Sequence, residues 1–452
     1  MGRITLEQAA AWCGGTIDPK SKDVEFFGAS NDTRSLKKGQ LFVALQGQRD
    51  GHEFIPAALE KGASAVLCAH QEGDYPAIVV ADPRTALGHI ARGERNRLNM
   101  KVVGITGSVG KSTTKEMVAT VLETTFRTGK SPANHNNDIG LPMAILALPD
   151  DTQVAVLEMG MNHFREMAYL SKIAQPDIAV IVNIGTMHIE HLGSREGILK
   201  AKLEILEGLK PEGTVILNGD DPMLWGCQTK INRCNYFGVA NREVVVRGSD
   251  VIIDRGYVGF RVDYRDIHFP VELPVEGGHY VDDALAAICV GISLGVKPED
   301  IQQSLSQFQN MAGRQEITQQ KGCTIISDCY NAGPESMAAA LNVLGNQPGR
   351  KIAVLGDMLE LGVCTQAEHY RVGRIAAEKA DFLLAYGPNS SRVMDGAITG
   401  GMVEGKVKAF EDRTELVEAL RRMAKPGDVI LFKGSRGMHM ELALEQFLAE
   451  DR

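Results

Sequence analysis

The stretch Lys101-Val-Val-Gly-Ile-Thr-Gly-Ser-Val-Gly-Lys-Ser-Thr-Thr-Lys115 decides how the rest of the chain is read. Val102 to Ile105 predict a strand, and glycines punctuate the turn that follows. Met117, Val118, Val121, Leu122 and Phe126 then fall on one face of a helix opening at Lys111. A strand, a glycine-rich turn and a helix N-terminus present backbone N–H groups and the positive end of a helix dipole to an anion. Gly110-Lys111-Ser112 matches the core of the Walker A pattern, in which the lysine reaches the terminal phosphates and the hydroxyl is available to Mg²⁺. Gly107, Ser108, Val109 and Thr113 complete the candidate nucleotide loop. The strict pattern wants a glycine at position 105, where Ile105 stands between Gly104 and Gly107. An ordinary βα turn would explain the glycines but not Lys111 or the Ser112-Thr113-Thr114 run.

Outward from this loop, apolar runs at 153–157, 177–182 and 214–217 alternate with helical stretches. Buried strands alternating with helices indicate a doubly wound parallel sheet. From 242 to 275 the period changes to two, which predicts a small antiparallel appendage, and a helix follows with Ala284, Ala287, Ile288, Gly291 and Leu294 on one face. Before the loop, apolar runs at 41–45, 65–68 and 77–80 alternate with helical patterns at 54–61 and 83–95, the second opened by Asp82-Pro83 as N-cap and first turn. After Gly313 the alternation resumes, with strands at 324–327, 351–355, 381–385 and 428–432 and helices at 334–344, 365–380, 414–423 and 441–448. The expectation is an α/β chain of three domains, 1–98, 99–312 and 313–452, the last Rossmann-like. Length agrees, since 452 residues at roughly 100–200 per domain give about three.

Composition excludes some roles. A net charge of -9 argues against a nucleic-acid surface. No apolar stretch approaches the ~18 residues of a membrane span. Met1-Gly-Arg-Ile-Thr5 leads into an amphipathic helix at 6–12 without a secretory h-region, so a cytoplasmic location is expected. Eight scattered cysteines, none with CxxC spacing, read as reduced small hydrophobes.

Several side chains stand where ligands of such sheets bind, at the carboxyl ends of strands. Glu158 ends the run Val154-Ala-Val-Leu157, where a Mg²⁺–nucleotide enzyme needs an oxygen ligand, although a helix-capping carboxylate would look the same. His188 and His191 flank Glu190; a zinc pair lacks a third soft ligand, and His188 suits the neighbourhood of a hard cation better. Lys200 and Lys202 project to different faces of one helix, so both cannot be solvated charge on one stripe. Arg314, at a domain junction, supplies a cation able to reach a γ-phosphate when domains close. Asp328, Gly356-Asp357 and Lys433-Gly-Ser-Arg436 end strands of the third unit. Ser30-Asn-Asp-Thr-Arg34 and Gly47-Gln-Arg-Asp-Gly-His52 read equally as solvated turns or, at Arg34, as a phosphate grip.

Taken jointly, the motifs resemble the Mur ligase family of ATP-dependent amide-bond-forming enzymes. The resemblance spans essentially the whole chain. It rests on Ile105 to Thr114, Asn134-His-Asn-Asn-Asp-Ile-Gly-Leu-Pro142, Glu158-Met-Gly160, His188-Ile-Glu-His-Leu-Gly-Ser194 and Ala201-Lys-Leu-Glu-Ile205. It continues in Gly313-Arg-Gln-Glu316, Asp328-Cys-Tyr-Asn-Ala-Gly-Pro-Glu-Ser-Met337, Leu355-Gly-Asp-Met-Leu-Glu-Leu-Gly362 and Lys433-Gly-Ser-Arg436. The last three, with Asp32-Thr-Arg34 and the run at 41–45, resemble the branch that joins D-alanyl-D-alanine to UDP-N-acetylmuramoyl-tripeptide.

The resemblance implies an N-terminal UDP-sugar domain, a central ATPase domain and a C-terminal ligase domain. It implies ATP and two Mg²⁺ ions as cofactors. Ser112 and Glu158 would hold one ion; His188 and a Lys202 carbamylated by CO₂ would serve the second. Lys111 and Arg314 would meet the phosphates, Asp328 the ribose, and Asp32, Thr33 and Arg34 the UDP-sugar. Asp357, Leu361, Lys433, Ser435 and Arg436 would wall the dipeptide site. Small-molecule substrates, no nucleic acid and a monomer are the expected partners and state. The shifted P-loop glycine is a habit of the family. Departures lie in Gly277-Gly-His-Tyr-Val-Asp-Asp283, where Tyr280 and Asp283 replace asparagines near the adenine, and in Gly333-Pro334 in place of Asn-Pro. The competing readings are a sister amino-acid ligase, a folylpolyglutamate-synthase-like enzyme, or a non-catalytic ATP-binding scaffold of cell-wall synthesis.

Overall fold

Amphipathic helices beside strands that are apolar on both faces must stack as layers, and this chain does so three times. The computed structural model describes residues 2–132, 135–311 and 313–449; Asn134, which opens one motif, and residue 312, the expected end of the central unit, lie outside them. The first sheet has five strands in the order Thr16–Ile17, Ala77–Val79, Ala65–Cys68, Leu41–Val43, Ala29–Ser30. The second has nine, from Ile267–Leu273 at one edge to Thr128–Lys130 at the other, with Lys101–Thr106 inside. The third has six, in the order Glu316–Gln320, Cys323–Asp328, Val429–Lys433, Lys351–Gly356, Phe382–Tyr386, Val407–Phe410.

Strand periodicity explains why helices cover both faces of the central sheet. Successive side chains point to opposite faces. Val102, Ala155, Leu157, Ala179, Ile181, Val215 and Leu217 enter one core. Their neighbours Val103, Ile105, Val156, Val180 and Ile216 enter another, against the helices Lys111–Glu123 and His279–Ser293. The third sheet is divided in the same way, with Ala353 and Leu355 on one side and Ile352 and Val354 on the other.

The strands Val246–Asp254, Tyr257–Tyr264 and Ile267–Leu273 form the antiparallel meander anticipated near 242–275, but it is not an appendage. An unanticipated strand, Cys234–Gly238, pairs in parallel with both Thr214–Asn218 and Val246–Asp254 and so fuses the meander to the central sheet. Val258, Phe260, Val271 and Leu273 accordingly join the same core as Ile105. The antiparallel strand Glu316–Gln320, the helix Ser390–Thr399 and the strand Val407–Phe410 were also not anticipated. All eight cysteines are free thiols.

Candidate active site

Lys101–Thr106 is flanked by Val154–Glu158 on one side and Ile178–Ile181 on the other, so the sheet's winding reverses there and leaves a crevice at the carboxyl ends. Ile105 belongs to the strand and is wholly buried, which is why no glycine is wanted at that position. Gly104 has a packing reason instead, because a Cβ there would come 2.8 Å from Met159. The turn proper begins at Gly107. Gly110 takes a left-handed φ of 84°, and a Cβ there would come 2.5 Å from Asp283.

Asn183, at the end of the neighbouring strand, braces this turn. Its Oδ1 accepts from the Ser108 and Val109 N–H groups at 3.0 Å each, and its Nδ2 donates to Val109 O. Lys111 Nζ donates to the Gly107 and Ser108 carbonyls at 2.9 and 3.3 Å, folded over the turn it serves. Burial lowers the Lys111 pKa and Glu158 opposes that shift.

Glu158 is buried, and its two oxygens divide their work. Oε2 accepts from Ser112 Oγ at 2.7 Å and Oε1 from Asn136 Nδ2 at 2.9 Å, while the Glu158 N–H is held by Ser131 Oγ. Arg314 Nη2 donates to the same Ser112 Oγ at 2.8 Å, and its guanidinium lies 4.2 Å over the Tyr330 ring. The Lys111, Ser112, Glu158, His188, Arg314, Asp328 and Lys433 side chains all line one cavity of about 480 Å³. Lys433 Nζ holds Asp328 Oδ2 at 2.6 Å. Tyr280 and Asp283 line the cavity too, with Thr114 Oγ1 donating to Asp283 at 2.7 Å and Asn310 bonding the Tyr280 hydroxyl.

The remaining sequence candidates lie off this cavity wall. Lys202 is 2% exposed near the end of the helix Arg195–Leu203. Among the described residues its amine has no ion pair or hydrogen-bond partner, and burial, with Lys111 adding to it, pushes its pKa well below the usual lysine value. Asp357 is buried and accepts from the Asn389 backbone and side chain at 3.0 and 2.7 Å. Ser435 Oγ donates to Ala332 O and accepts from the Leu359 N–H, Leu361 is buried, and Arg436 is exposed. Asp32, Thr33 and Arg34 sit on the N-terminal unit; Arg34 grips Asp32 at 2.7 Å and holds its carboxyl down to about 2, and Lys61 donates to Thr33 O.

His188 lies in the left-handed region (φ 64°), and its Nδ1 meets Glu360 Oε2 at 2.5 Å. Glu335 accepts from the Thr186 N–H and hydroxyl at 3.1 Å each. Sequence reasoning assigned no role to Asn183, Asn136, Ser131 or Glu335, and placed Glu360 only within the 357–361 stretch expected to wall the dipeptide site. Asn183 carried a usable signal, the end of a strand adjoining the P-loop strand; the others become visible only through tertiary contact. No described helix is long and apolar enough to cross a membrane, and no three His, Cys, Asp or Glu side chains among the described residues converge as a metal cluster.

Comparison with known proteins gives a consistent picture. Residues 105–291 match the Mur ligase middle domain, 313–436 the Mur ligase glutamate ligase domain, and 28–95 the Mur ligase family catalytic domain. The chain is 39% identical over 454 residues to the UDP-N-acetylmuramoyl-tripeptide--D-alanyl-D-alanine ligase of Bacillus subtilis, covering 98% of this chain and 97% of that protein. A crystal structure of MurF from Acinetobacter baumannii superposes with a TM-score of 0.91 at 33% identity over all of both chains. MurF from Thermotoga maritima in complex with ADP gives 0.80 at 30% identity, over 93% of this chain and 97% of that one.

Proposed function

The chain belongs to the Mur ligase family, and on that premise we propose that it joins D-alanyl-D-alanine to UDP-N-acetylmuramoyl-tripeptide with ATP, yielding the UDP-linked pentapeptide, ADP and phosphate. The observation that carries the chemistry is the Ser112–Glu158–Arg314 cluster, one hydroxyl shared by a buried carboxylate and a guanidinium at the mouth of the P-loop.

A carboxylate is a poor electrophile, so the tripeptide's terminal carboxylate is first made an acyl phosphate by attack on the γ-phosphorus of ATP. Lys111 and Arg314 supply fixed positive charge around the transferring group. Ser112 and Glu158 offer a hard oxygen pair with no thiol beside it, a donor set that fits Mg²⁺ and leaves its other positions to water and phosphate. Held by Ser112 and Glu158, Mg²⁺ would supply positive charge against the phosphate. His188 and a carbamylated Lys202 would hold a second Mg²⁺. The buried Lys202 amine, its pKa pushed well below the usual lysine value by burial, suits addition to CO₂, which forms an N–C bond and releases one proton, leaving an anionic carbamate. Asp328, steadied by Lys433, takes the ribose. Asp32, Thr33 and Arg34 hold the UDP-sugar, and Asp357, Leu361, Lys433, Ser435 and Arg436 shape the dipeptide wall. The dipeptide amine then attacks the acyl carbon and phosphate leaves; a closed cavity keeps water from the acyl phosphate.

An acceptor panel with phosphate readout tests the reading. Phosphate release should require both UDP-N-acetylmuramoyl-tripeptide and D-alanyl-D-alanine; equal rates with a single amino acid would assign the chain to a sister activity. For the carbamate, Lys202→Ala should be inactive until a short carboxylate is added, and full activity without one would remove that role.

A further inference from the structure

His188 is gripped from outside its own unit. The segment Leu359-Glu-Leu-Gly-Val-Cys364 reaches across from the third unit, and Glu360 places Oε2 2.5 Å from His188 Nδ1 while its own carbonyl accepts from the Glu190 N–H at 3.4 Å. Both residues are non-glycine in the left-handed region, with φ of 64° at His188 and 62° at Glu360. The approach is close enough that a Cβ on Gly362 would come 3.0 Å from the Glu190 backbone. Four residues after Glu360, at the end of that segment, Cys364 packs against the core shared by the first two units. On the other side Glu335, from the first turn of the helix Pro334–Asn346, takes both donors of Thr186. Two carboxylates of the third unit therefore clasp the central segment that carries His188. The Glu360 carboxyl is held below its usual range, chiefly by His188, with His191 and His163 also near.

We propose that Glu360 is a positioning residue, a latch through which docking of the third unit fixes the His188 imidazole for the reaction. A histidine whose Nδ1–H is given to a carboxylate has one ring orientation and one tautomer, with its lone pair on Nε2. Glu360 selects that tautomer, and because it belongs to the third unit it does so only when that unit is docked. His188 lines the nucleotide cavity, so its nitrogen is offered there at the moment the cavity is complete. Closure and readiness of the site thus become one event. The role rests on the ligase reading for its chemistry but on the contact alone for its structural half.

The test pairs steady-state kinetics with backbone hydrogen exchange of residues 185–192 in the protein carrying ADP and Mg²⁺. Glu360→Leu should lower kcat by about 10–100-fold, the usual effect of losing an outer partner of a ligating histidine, with the KM for ATP within about twofold of the wild-type value. Exchange across 185–192 should speed up in the same variant. Glu360→Gln, whose amide oxygen still accepts from Nδ1–H, should restore much of both. Wild-type kcat in Glu360→Leu would overturn the proposal, as would a fall in kcat with unchanged exchange, which would make Glu360 a substrate contact. If the wild-type protein released no phosphate with both substrates, the ligase reading would fail, while the exchange comparison would still decide whether the latch exists.

Discussion

The two joints of this molecule are built from opposite materials. Between the first and second units there is no boundary in the packing: Ile4, Leu6, Leu87 and Ile90 belong to the same apolar core as Leu141, Leu157 and Leu170. Polar groups cross this joint as well, Arg95 donating to Ala174 O and Gln175 O at 2.9 Å each and to Asp177 at 3.1 Å, and Arg97 to both Glu94 and Asp150. Between the second and third units the cores are largely separate, with Cys364 reaching into the packing of the first two, and hydrogen bonds and ion pairs span the joint: Arg314 to Ser112, Glu360 to His188, Glu335 to Thr186, and Gln347 and Gln315 to Glu276. A joint of packed methyl groups transmits force but does not open cheaply, whereas a polar joint exchanges its partners for water at little net cost. The first two units are therefore one rigid body holding the nucleotide loop, and the third is the part that docks.

The largest expected effect breaks the polar joint at its chemical end. Arg314→Ala removes the guanidinium from Ser112 and from the proposed γ-phosphate position, and should lower kcat by about 10²–10³-fold, as loss of one transition-state donor does. Its unfolding midpoint should barely move, because Arg314 is only partly buried and outside every core. Phosphate release and a thermal melt on the same preparation check both halves; a wild-type rate would remove Arg314 from the reaction.

That asymmetry also marks what could be read from the sequence. The rigid body was largely legible, because buried strands and one-faced helices leave a periodic trace: Val102 to Ile105, Glu158 at a strand end and Gly110-Lys111-Ser112 all stand where the pattern put them. Cys234–Gly238 escaped because Cys-Asn-Tyr-Phe-Gly has neither a clean alternation nor a continuous apolar run. Without it the meander looked detached. Ser390–Thr399 escaped because serines, a threonine and a glycine are poor helix formers; that glycine, Gly396, is there for close approach to Tyr370 of the helix Thr365–Lys379. Of the docking joint, Arg314 was anticipated at a domain junction, but the carboxylate contacts were illegible in principle. Glu335 and Glu360 each sit in a motif, but their partners are 149 and 172 residues away, and no local period encodes a contact of that span.

Ile90→Ala attacks the other joint. Ile90 is wholly buried in the helix Pro83–Leu98, so truncation should cost about 2–5 kcal/mol of stability through lost burial and a residual cavity. Per folded molecule, kcat should stay within about twofold, since nothing at the polar joint changes. Chemical denaturation with activity normalised to folded protein separates the two. A fall in kcat without loss of stability would mean that the first joint, too, moves during turnover.

The smallest effect sharpens where the rigid body gives up its apolar character. Asp283 is buried in the helix His279–Ser293, beside Gly110 of the nucleotide turn. Burial pushes its carboxyl up to about 7, Thr114's hydrogen bond opposes that, and Asp282 adds to it. With a raised folded-state value, the native protein keeps a proton that the unfolded chain has already lost above 3.8. This contribution to stability is therefore fully present below 3.8 and is lost as pH climbs towards about 7, above which a buried carboxylate faces the phosphate turn. Asp283→Asn keeps an acceptor for Thr114 and removes the charge. It should raise stability at pH 8 by about 1–3 kcal/mol, the penalty of a poorly compensated buried polar group, and the gain should shrink as pH is lowered towards 3.8. The KM for ATP at pH 8 should fall with it, because an anion beside the turn is gone. Thermal melts of both proteins across that range decide the matter. A gain that does not depend on pH would mean that Asp283 has the same pKa folded and unfolded, so that burial beside the turn does not raise it.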